Sequence, residues 1–315
     1  MRFAVETLDD ALLQLYRELL SRASNVAATR GDNTEILGVL IEIEKPRARL
    51  SRSETRGRMF SSLGELLWYL TRDNRLDFVE PYIPRYREES EDGVTVYGGY
   101  GPRLFRQRGH DQVRNVISLL RQRPTTRRAV IQVFDAEDIA ADHKEIPCTA
   151  SLQFLVRQER LHLIVTMRSN DAYIGLPHDV FCFTMLQEIV ARTINCEIGS
   201  YRHFVGSMHL YDRNRDHAAS LVEEGFQSRI EMPPMPVGDP WSSINTLLTT
   251  EPRIRAGEKF DANDLGLDPY WSDQVRLLQI FHSEDAHDIE TWRGKMSFQR
   301  YGLYISSRIE RARDA

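Results

Sequence analysis

Cys148 is the residue whose type and setting most directly suggest covalent chemistry. It lies in the segment EIPCTASLQF, immediately after Pro147 and at the start of an alternating apolar and polar run that predicts a strand. A thiol held rigidly at a strand end meets a substrate from a fixed direction, which suits a nucleophile. The alternative is an inert cysteine buried as a small apolar side chain. This segment alone leaves both interpretations open.

A dense set of polar side chains follows a second predicted strand, in the segment MRSNDAYIGLPHDVFCF (167–183). Arg168 at the strand end could hold a phosphate or lower the pKa of a thiol. Ser169, Asn170 and Asp171 add hydrogen-bond donors and acceptors. The segment therefore predicts one wall of a polar binding site.

Asp179 follows a turn predicted at Gly175, Leu176 and Pro177, and it precedes residues 180–195, an apolar run typical of a buried helix. Aspartate is a favoured helix N-cap, so residue type alone predicts a cap at this position.

Two further pairs of residues could bind a ligand. Arg127 and Arg128, in TTRRAVIQVF, could clamp a phosphate, although paired arginines at a strand start are more often simply solvated. His209 and Tyr211, in GSMHLY, share one face of a predicted strand and could hold one hydroxyl group. An aromatic strand face is the commoner explanation for that spacing.

Glu65 lies on a predicted helix, residues 57–72, opposite its stripe of leucines. Trp68 and Tyr69 flank it on that face. A carboxyl group beside two aromatic rings is expected to be partly buried, which would raise its pKa toward the range of a general acid or base.

The elements that must position these residues are mixed in type. Helices are predicted at residues 6–22, 57–72 and 180–195 and at the polar C-terminal end, and strands at 35–44, 127–134, 150–157 and 160–167. Gln158 and Glu159 are predicted to form a tight turn. We expect a single α+β domain over residues 1–315, with a divergent part at 233–315.

Composition narrows the function. Hydrophobic residues make up 41% and charged residues 28% of the chain, as in ordinary globular proteins. The net charge of −5 disfavours binding to a nucleic acid polymer but leaves small anionic ligands open. Three sparse cysteines argue against a disulfide framework and against a zinc site. No signal peptide or membrane span is recognisable, so we expect a cytoplasmic protein. Because no cysteine or histidine cluster has the spacing of zinc ligands, we expect no metal.

Taken in order, six segments resemble the thymidylate synthase family, with the match strongest over about residues 28–215. They are GELLWYL (64–70), VYGGYGPRL (96–104), TTRRAVIQVF (125–134), IPCTASLQF (146–154), MRSNDAYIGLPHD (167–179) and GSMHLY (206–211). The pattern Arg-Ser-x-Asp followed by Gly-Leu-Pro, about 20 residues after Pro-Cys, is the most specific of them.

The resemblance implies a thymidylate synthase-like fold, a mixed β-sheet packed with helices whose open face forms a homodimer. It implies that Cys148 adds to C6 of a pyrimidine nucleoside monophosphate, so that C5 attacks the methylene group of 5,10-methylenetetrahydrofolate. Glu65 resembles the carboxylate that orders water and assists proton transfers. Tyr97 resembles the tyrosine that helps to remove the C5 proton.

The resemblance also implies binding roles. Phosphate ligands would be Arg168, Ser169 and Arg30, with Arg127 and Arg128 reaching the phosphate of the neighbouring subunit. His209 and Tyr211 would hold the ribose 3′-hydroxyl, and Asn170 would belong to the same nucleotide site. Asp171 and Gly175 would lie near the folate.

Three departures from the family pattern bear on the substrate. Pro177-His178-Asp179 stands where the methylating members have Pro-Phe-Asn, Thr149 replaces a histidine after the cysteine, and the chain ends in SSRIERARDA instead of a short apolar tail. The family's asparagine donates to O4 of uracil, whereas a carboxylate accepts from the 4-amino group of cytosine. A buried acceptor facing an acceptor costs about 1–3 kcal/mol, so Asp179 favours cytosine.

The sequence thus predicts a transferase that converts CMP or dCMP to its 5-hydroxymethyl derivative. A thymidylate synthase-type methylase of dUMP is the alternative within the family. A non-catalytic nucleotide-binding or regulatory protein would not need Cys148, Glu65 and Tyr97 together. A cysteine hydrolase would need a histidine partner, and His143, the nearby candidate, lies in a polar loop.

Overall fold

The computed structural model describes residues 1–24, 26–28, 30–51, 58–225, 227 and 229–314. The chain divides into two compact units, residues 1–232 and 233–315. The expectation of a single domain over the whole chain stays a prediction.

The first unit is built on a mixed β-sheet. Seven strands of the described chain form it: β1 (Arg2–Val5), β2 (Val26–Ala28), β3 (Gly31–Ile43), β4 (Val130–Gln132), β5 (Thr149–Arg157), β6 (Arg160–Asp171) and β7 (Glu197–Tyr211). Their order is β1-β3-β7-β6-β5-β4, and β2 pairs with β3. The β1–β3 and β6–β7 pairs are parallel and the others are antiparallel.

Eight α-helices of the described chain belong to this unit. They are α1 (Leu8–Leu20), α2 (Met59–Leu70), α3 (Leu76–Val79), α4 (Tyr86–Glu89), α5 (Tyr100–Phe105), α6 (Gln112–Gln122), α7 (Gly175–Thr193) and α8 (Arg215–Glu224). Helices α1 and α7 pack against the sheet, and α2 packs against α7.

Local sequence explains the elements that carry the site. The Thr7 side chain accepts a hydrogen bond from the Asp10 amide and begins α1, as an N-cap residue does. Helix α7 is buried along nearly its whole length, which confirms the apolar helix predicted at 180–195 but begins it five residues earlier. The hairpin between β5 and β6 turns at Gln158 and Glu159, both with positive φ (49° and 58°), as a two-residue hairpin turn requires.

Strand β6 continues past the predicted end at residue 167, as far as Asp171. Arg168, Ser169, Asn170 and Asp171 therefore lie on a strand whose alternation sends neighbouring side chains to opposite faces. A regular strand fixes these side chains more firmly than a loop would.

The second unit is helical over its described residues. Its α-helices are α9 (Trp241–Arg255), α10 (Pro269–His282), α11 (Ala286–Gly294) and α12 (Gly302–Asp314), the last of which confirms the helix predicted at the chain's end. Asp273 on α10 is buried, pairs with Arg276 at 2.9 Å and accepts hydrogen bonds from the amides of Ser297 and Phe298.

Candidate active site

A cavity of about 590 Å³ in the first unit collects most of the residues that the sequence singled out. Its lining includes Arg30, Glu65, Cys148, Arg168, Ser169, Asn170, Asp171, Gly175, Asp179, His209 and Tyr211. These side chains come from helices α2 and α7, strands β6 and β7 and the segment before β5, and Arg30 lies between β2 and β3. Its volume falls in the range of small-molecule sites.

Cys148 precedes β5 at the cavity wall as a free, partly exposed thiol. The Arg168 guanidinium lies 3.7 Å from its Sγ and donates to the carbonyls of Pro147 (3.0 Å) and Ile146 (3.1 Å). One arginine thus holds the backbone leading to the cysteine and places a positive charge at the thiol. Burial nevertheless raises the pKa of Cys148 to about 11, and the carboxyl of nearby Glu145 adds to the rise while Arg168 opposes it.

Glu65 is buried on α2, as its aromatic neighbours predicted. The Tyr86 hydroxyl donates to its Oε1 at 2.7 Å, and the Tyr86 ring lies 5.0 Å from that of Trp68. Burial raises the pKa of Glu65, while hydrogen bonds from Tyr86 and Tyr69 act against the rise. The sequence analysis missed Tyr86, because a tyrosine 21 residues away on a short helix carries no periodic signal.

Asp179 does not cap a helix, so that prediction was wrong. Helix α7 begins at Gly175, with Ile174 at its N-cap position, and Asp179 lies in the second turn facing the cavity. Proline is tolerated in the first turn of a helix, so Pro177 does not delay the start. Asp179 Oδ2 instead accepts a hydrogen bond from Asn170 Nδ2 at 2.7 Å. Burial, and then the nearby Glu65, raise the pKa of Asp179 well above its ordinary value.

Asp171 ends β6 and organises the turn into α7. Its Oδ1 accepts hydrogen bonds from the amides of Tyr173 (2.7 Å) and Ile174 (3.1 Å). A Cβ at Gly175 would lie only 2.8 Å from Asn170 Nδ2, so the glycine leaves room for that amide. Asp171 and Gly175 thus stabilise the backbone at the edge of the cavity. Their location near a folate stays a prediction.

His209 and Tyr211 lie together at the cavity, as their spacing on one strand predicted. Their rings meet edge to face with centroids 5.0 Å apart, and the Arg213 guanidinium covers the Tyr211 ring at 4.4 Å. Burial lowers the pKa of His209 and therefore favours its neutral form.

Glu145 is a further acidic residue at the cavity, and the sequence analysis did not single it out. Arg30 forms an ion pair with Glu89 at 2.6 Å, and Glu145 lies close to both. Burial, and then the charge of Glu89, raise the pKa of Glu145 to about 7. The Glu145 carboxyl lies against Gly98, where a Cβ would come within 1.9 Å of its Oε2. The sequence signal for it was a lone glutamate three residues before the cysteine.

Three predicted residues lie away from the cavity lining. Tyr97 stacks on His143, with centroids 3.6 Å apart, beneath the guanidinium of Arg103 at 5.3 Å. Arg127 and Arg128 are exposed before β4. Their roles stay predictions, and an arginine pair exposed on the surface is what a role across a subunit interface would need.

Thr149, which replaces the histidine of the family pattern, lies behind the cavity wall. Thr149 is fully buried, and its Oγ1 accepts a hydrogen bond from the Tyr100 hydroxyl at 2.9 Å. Tyr100, not Thr149, lines the cavity. His178 does line it, and its ring contacts Ser61 Oγ at 2.9 Å and the Ile174 carbonyl at 3.0 Å.

No group of three or more His, Cys, Asp or Glu side chains within the described part of the chain could hold a metal ion. No helix there combines the length and the apolar character needed to span a membrane.

Comparison with known proteins agrees with this geometry. The family model described as thymidylate synthase matches residues 15–267. A deoxyuridylate hydroxymethyltransferase of Pseudomonas phage M6 is 34% identical over 170 residues, which cover 52% of this chain and 48% of that protein. One of Bacillus phage SP01 is 31% identical over 67% of this chain and 59% of that protein. The chain thus spans only about half to three fifths of these relatives.

The methylating branch also matches. A thymidylate synthase of Francisella tularensis is 26% identical over 56% of this chain and 69% of that protein. The solved structure of thermostable thymidylate synthase A from Bacillus subtilis superposes with a TM-score of 0.61 at 21% identity, covering 72% of this chain and 87% of that one.

The fold and the comparisons together define the class of this protein. Its mixed sheet packed with helices is a thymidylate synthase-like fold, as the sequence predicted. Because the family model covers well over half of the residues, the chain belongs to the thymidylate synthase family.

Proposed function

We propose that this protein transfers a one-carbon unit to C5 of CMP or dCMP and releases the 5-hydroxymethyl nucleotide. The observation that carries the proposal is one cavity that unites the Cys148 thiol, the Arg168 guanidinium and the carboxyl group of Asp179. A nucleophile, an anion-binding group and a base-reading group are what substitution at C5 of a pyrimidine nucleotide requires.

Cys148 begins the reaction by adding its sulfur to C6 of the pyrimidine. With a thiol pKa of about 11, little thiolate is present at neutral pH. The Arg168 guanidinium stabilises the thiolate that forms. Addition at C6 places carbanion character at C5, which then attacks the one-carbon unit, and the C5 hydrogen leaves as a proton. Loss of tetrahydrofolate would leave a methylene group on C5, water would add to that methylene carbon, and the Cys148 sulfur would leave C6 as a thiolate to release the product.

Glu65 is suited to the proton transfers that follow. Burial raises the pKa of its carboxyl group and Tyr86 fixes its orientation, so Glu65 can hold and return a proton during the reaction. 5,10-Methylenetetrahydrofolate supplies the one-carbon unit when bound. Asp171 and Gly175 lie on the cavity lining where such a co-substrate would meet the nucleotide.

The nucleotide's anionic and sugar groups have partners at the same cavity. Arg168 and Ser169, on the end of β6, would bind the phosphate, with Arg30 joining by exchanging its bond to Glu89. His209 and Tyr211 would bind the 3′-hydroxyl.

We further propose a homodimer in which Arg127 and Arg128 of one subunit reach the phosphate bound by the other. Both arginines are exposed and lie outside the cavity of their own chain. Three large apolar side chains of the sheet, Leu37, Val130 and Phe204, are also exposed, as residues of a covered sheet face would be.

Asp179 supports a cytosine substrate. Its carboxyl faces the cavity and can accept a hydrogen bond from the 4-amino group in either protonation state.

To test the preference for cytosine, the enzyme is incubated with 5,10-methylenetetrahydrofolate and CMP, dCMP, UMP or dUMP in turn, and the masses of the products are measured. Asp179→Ala should lower kcat/KM for the cytidylate relative to the uridylate by about 5- to 150-fold, matching the 1–3 kcal/mol lost when a buried partner is unpaired. Asp212→Ala, an exposed aspartate outside the cavity lining, is the control. Equal losses for both bases would contradict the assignment.

Hydroxymethylation is distinguished from methylation by the fate of the folate. A methylase oxidises the folate and forms one dihydrofolate per nucleotide, whereas hydroxymethylation forms none and adds the mass of formaldehyde. His178, a polar ring at the cavity, supports an ordered water that adds to the methylene carbon on C5 in place of hydride transfer to that carbon. One dihydrofolate per turnover would refute hydroxymethylation.

A second candidate is hydroxymethylation of dUMP. The phage relatives from M6 and SP01 are deoxyuridylate hydroxymethyltransferases. The raised pKa of Asp179 also favours a carboxylic acid, which can donate to O4 of uracil as a carboxylate cannot. The four-nucleotide assay decides between the two bases.

A further inference from the structure

A row of buried polar side chains runs from the protein core to Asp179. The Tyr201 hydroxyl lies 2.7 Å from His203 Nδ1, His203 Nε2 lies 3.1 Å from Asn170 Oδ1, and Asn170 Nδ2 lies 2.7 Å from Asp179 Oδ2. Tyr201 and His203 are fully buried on β7, and Asn170 is 3% exposed. We call Tyr201, His203 and Asn170 the relay.

The tautomer of His203 sets the direction of the hydrogen bonds in the relay. Burial lowers the pKa of His203 to about 3, so its ring is neutral and carries one N–H. When the Tyr201 hydroxyl donates to Nδ1, that N–H is on Nε2 and donates to Asn170 Oδ1. The amide group of Asn170 can then present only its Nδ2 hydrogens to Asp179. The opposite orientation would turn the Asn170 carbonyl oxygen toward Oδ2 of Asp179 and would require the carboxyl proton to lie on Oδ2.

This direction decides where Asp179 can hold a proton. Oδ2 is committed as the acceptor of the Asn170 hydrogen bond, so a proton on the carboxyl group lies on Oδ1. Besides burial, the charges of Glu65 and Asp171 raise the pKa of Asp179, and the hydrogen bond from Asn170 acts against the rise. Such surroundings favour the neutral form of Asp179.

A carboxylic acid with its proton fixed on one oxygen resembles an amide, with one donor and one acceptor. Cytosine offers an acceptor at N3 and a donor at its 4-amino group, whereas uracil offers the same pair in reverse order. An acid whose proton could move between its oxygens would match either base. One whose proton is fixed matches only one of them in a given pose.

We propose that Tyr201, His203 and Asn170 are positioning residues that set the base selectivity of Asp179, by fixing the carboxyl proton on Oδ1. The proposal rests on the proposed function and adds to it two residues, Tyr201 and His203, that lie outside the cavity lining and act through Asn170. Glycine at 175 belongs to the same arrangement, because a side chain there would displace the Asn170 amide.

The test replaces His203 and measures a ratio of specificities. His203→Phe leaves Asn170 free to reverse its amide, so the ratio of kcat/KM for cytidylate to that for uridylate should move toward one by about fivefold or more, the worth of one such hydrogen bond. Tyr201→Phe should move the ratio in the same direction by less. His162→Phe is the control, because His162 is a half-buried histidine of β6 that bonds to Ser200 outside the cavity.

A spectroscopic measurement on the wild-type protein stands beside the kinetics. Nitrogen-15 NMR of the histidine-labelled protein should show His203 as the neutral Nε2–H tautomer from pH 5 to pH 8. A charged ring or the Nδ1–H tautomer would overturn the proposal, and so would equal losses for both nucleotides in His203→Phe.

Failure of the proposed function has a different signature. If the wild-type protein converts none of the four nucleotides, the proposed reaction is wrong, and the relay is then judged from the affinities of CMP and UMP by calorimetry. A wild-type preference for uridylate would overturn the substrate but not the relay, provided that His203→Phe still moves the ratio toward one. An unchanged ratio in that variant would overturn the relay in every case.

Discussion

Removing the charge of Arg168 should make the Cys148 thiol harder to ionise. The guanidinium Nη2 lies 3.7 Å from Sγ, and Arg168 is exposed, so the attraction is best taken at the dielectric constant of water. Coulomb's law then gives about 1 kcal/mol, or about 0.8 pKa unit, and an effective dielectric constant of 20 sets an upper bound of about 3 units. Arg168→Gln should therefore raise the pKa of Cys148 above about 11 and reduce the thiolate at least sixfold.

The assay is the rate of alkylation of Cys148 by iodoacetamide between pH 7 and pH 11. A Cys196→Ser background removes the other partly exposed thiol, and Cys182 is buried. Arg157→Gln changes an exposed arginine at the far end of β5 and serves as the control. An unchanged or lowered thiol pKa in Arg168→Gln, with the control unaffected, would refute the assigned role of this charge.

Three other changes test separate parts of the site. Glu65→Gln should lower kcat at least about 100-fold with little change in nucleotide affinity, because it removes a proton-transfer group; a loss confined to KM would contradict this. Glu145 has a pKa of about 7 in the folded chain, above its ordinary value of 4.5, so the folded state favours the protonated carboxyl group. The free energy of unfolding should therefore fall by roughly 3 kcal/mol as pH rises from about 4.5 to 7. Urea unfolding of Glu145→Gln should not show this fall. Mixing the inactive Cys148→Ala and Arg128→Ala proteins should restore part of the activity if subunits share sites, and no rescue after proven subunit exchange would count against the dimer.

Much of the fold was predictable because short-range patterns of apolar and polar residues determine it. The hairpin turn at Gln158 and Glu159 and the buried helix near residues 180–195 follow from alternation and from apolar continuity, and the structure confirms both. The start of that helix was misplaced because a Gly-Leu-Pro sequence also suits a first helical turn. The side chain of Asp171 accepts hydrogen bonds from the amides of Tyr173 and Ile174, which directly precede the helix.

The candidate site was predictable only where family segments or short spacings pointed to it. Glu65 was expected beside aromatic rings, but its bond to Tyr86 depends on how two helices meet. The relay could not be foreseen either. His203 and Asn170 are 33 residues apart, and only the parallel pairing of β6 and β7 brings their strands together. Long-range pairing of this kind leaves no periodic signal in the sequence.

Release of the hydrogen at C5 of the nucleotide is the most direct measure of covalent one-carbon transfer to C5. Cytidylate labelled with tritium at C5 is incubated with 5,10-methylenetetrahydrofolate, and tritium in water is counted beside the product formed. We expect one tritium released per product molecule with the wild-type protein. With Cys148→Ser we expect a loss of at least about 1,000-fold, because an alcohol adds to C6 far less readily than a thiolate. Product formed without tritium release, or substantial release by Cys148→Ser, would contradict covalent one-carbon transfer to C5.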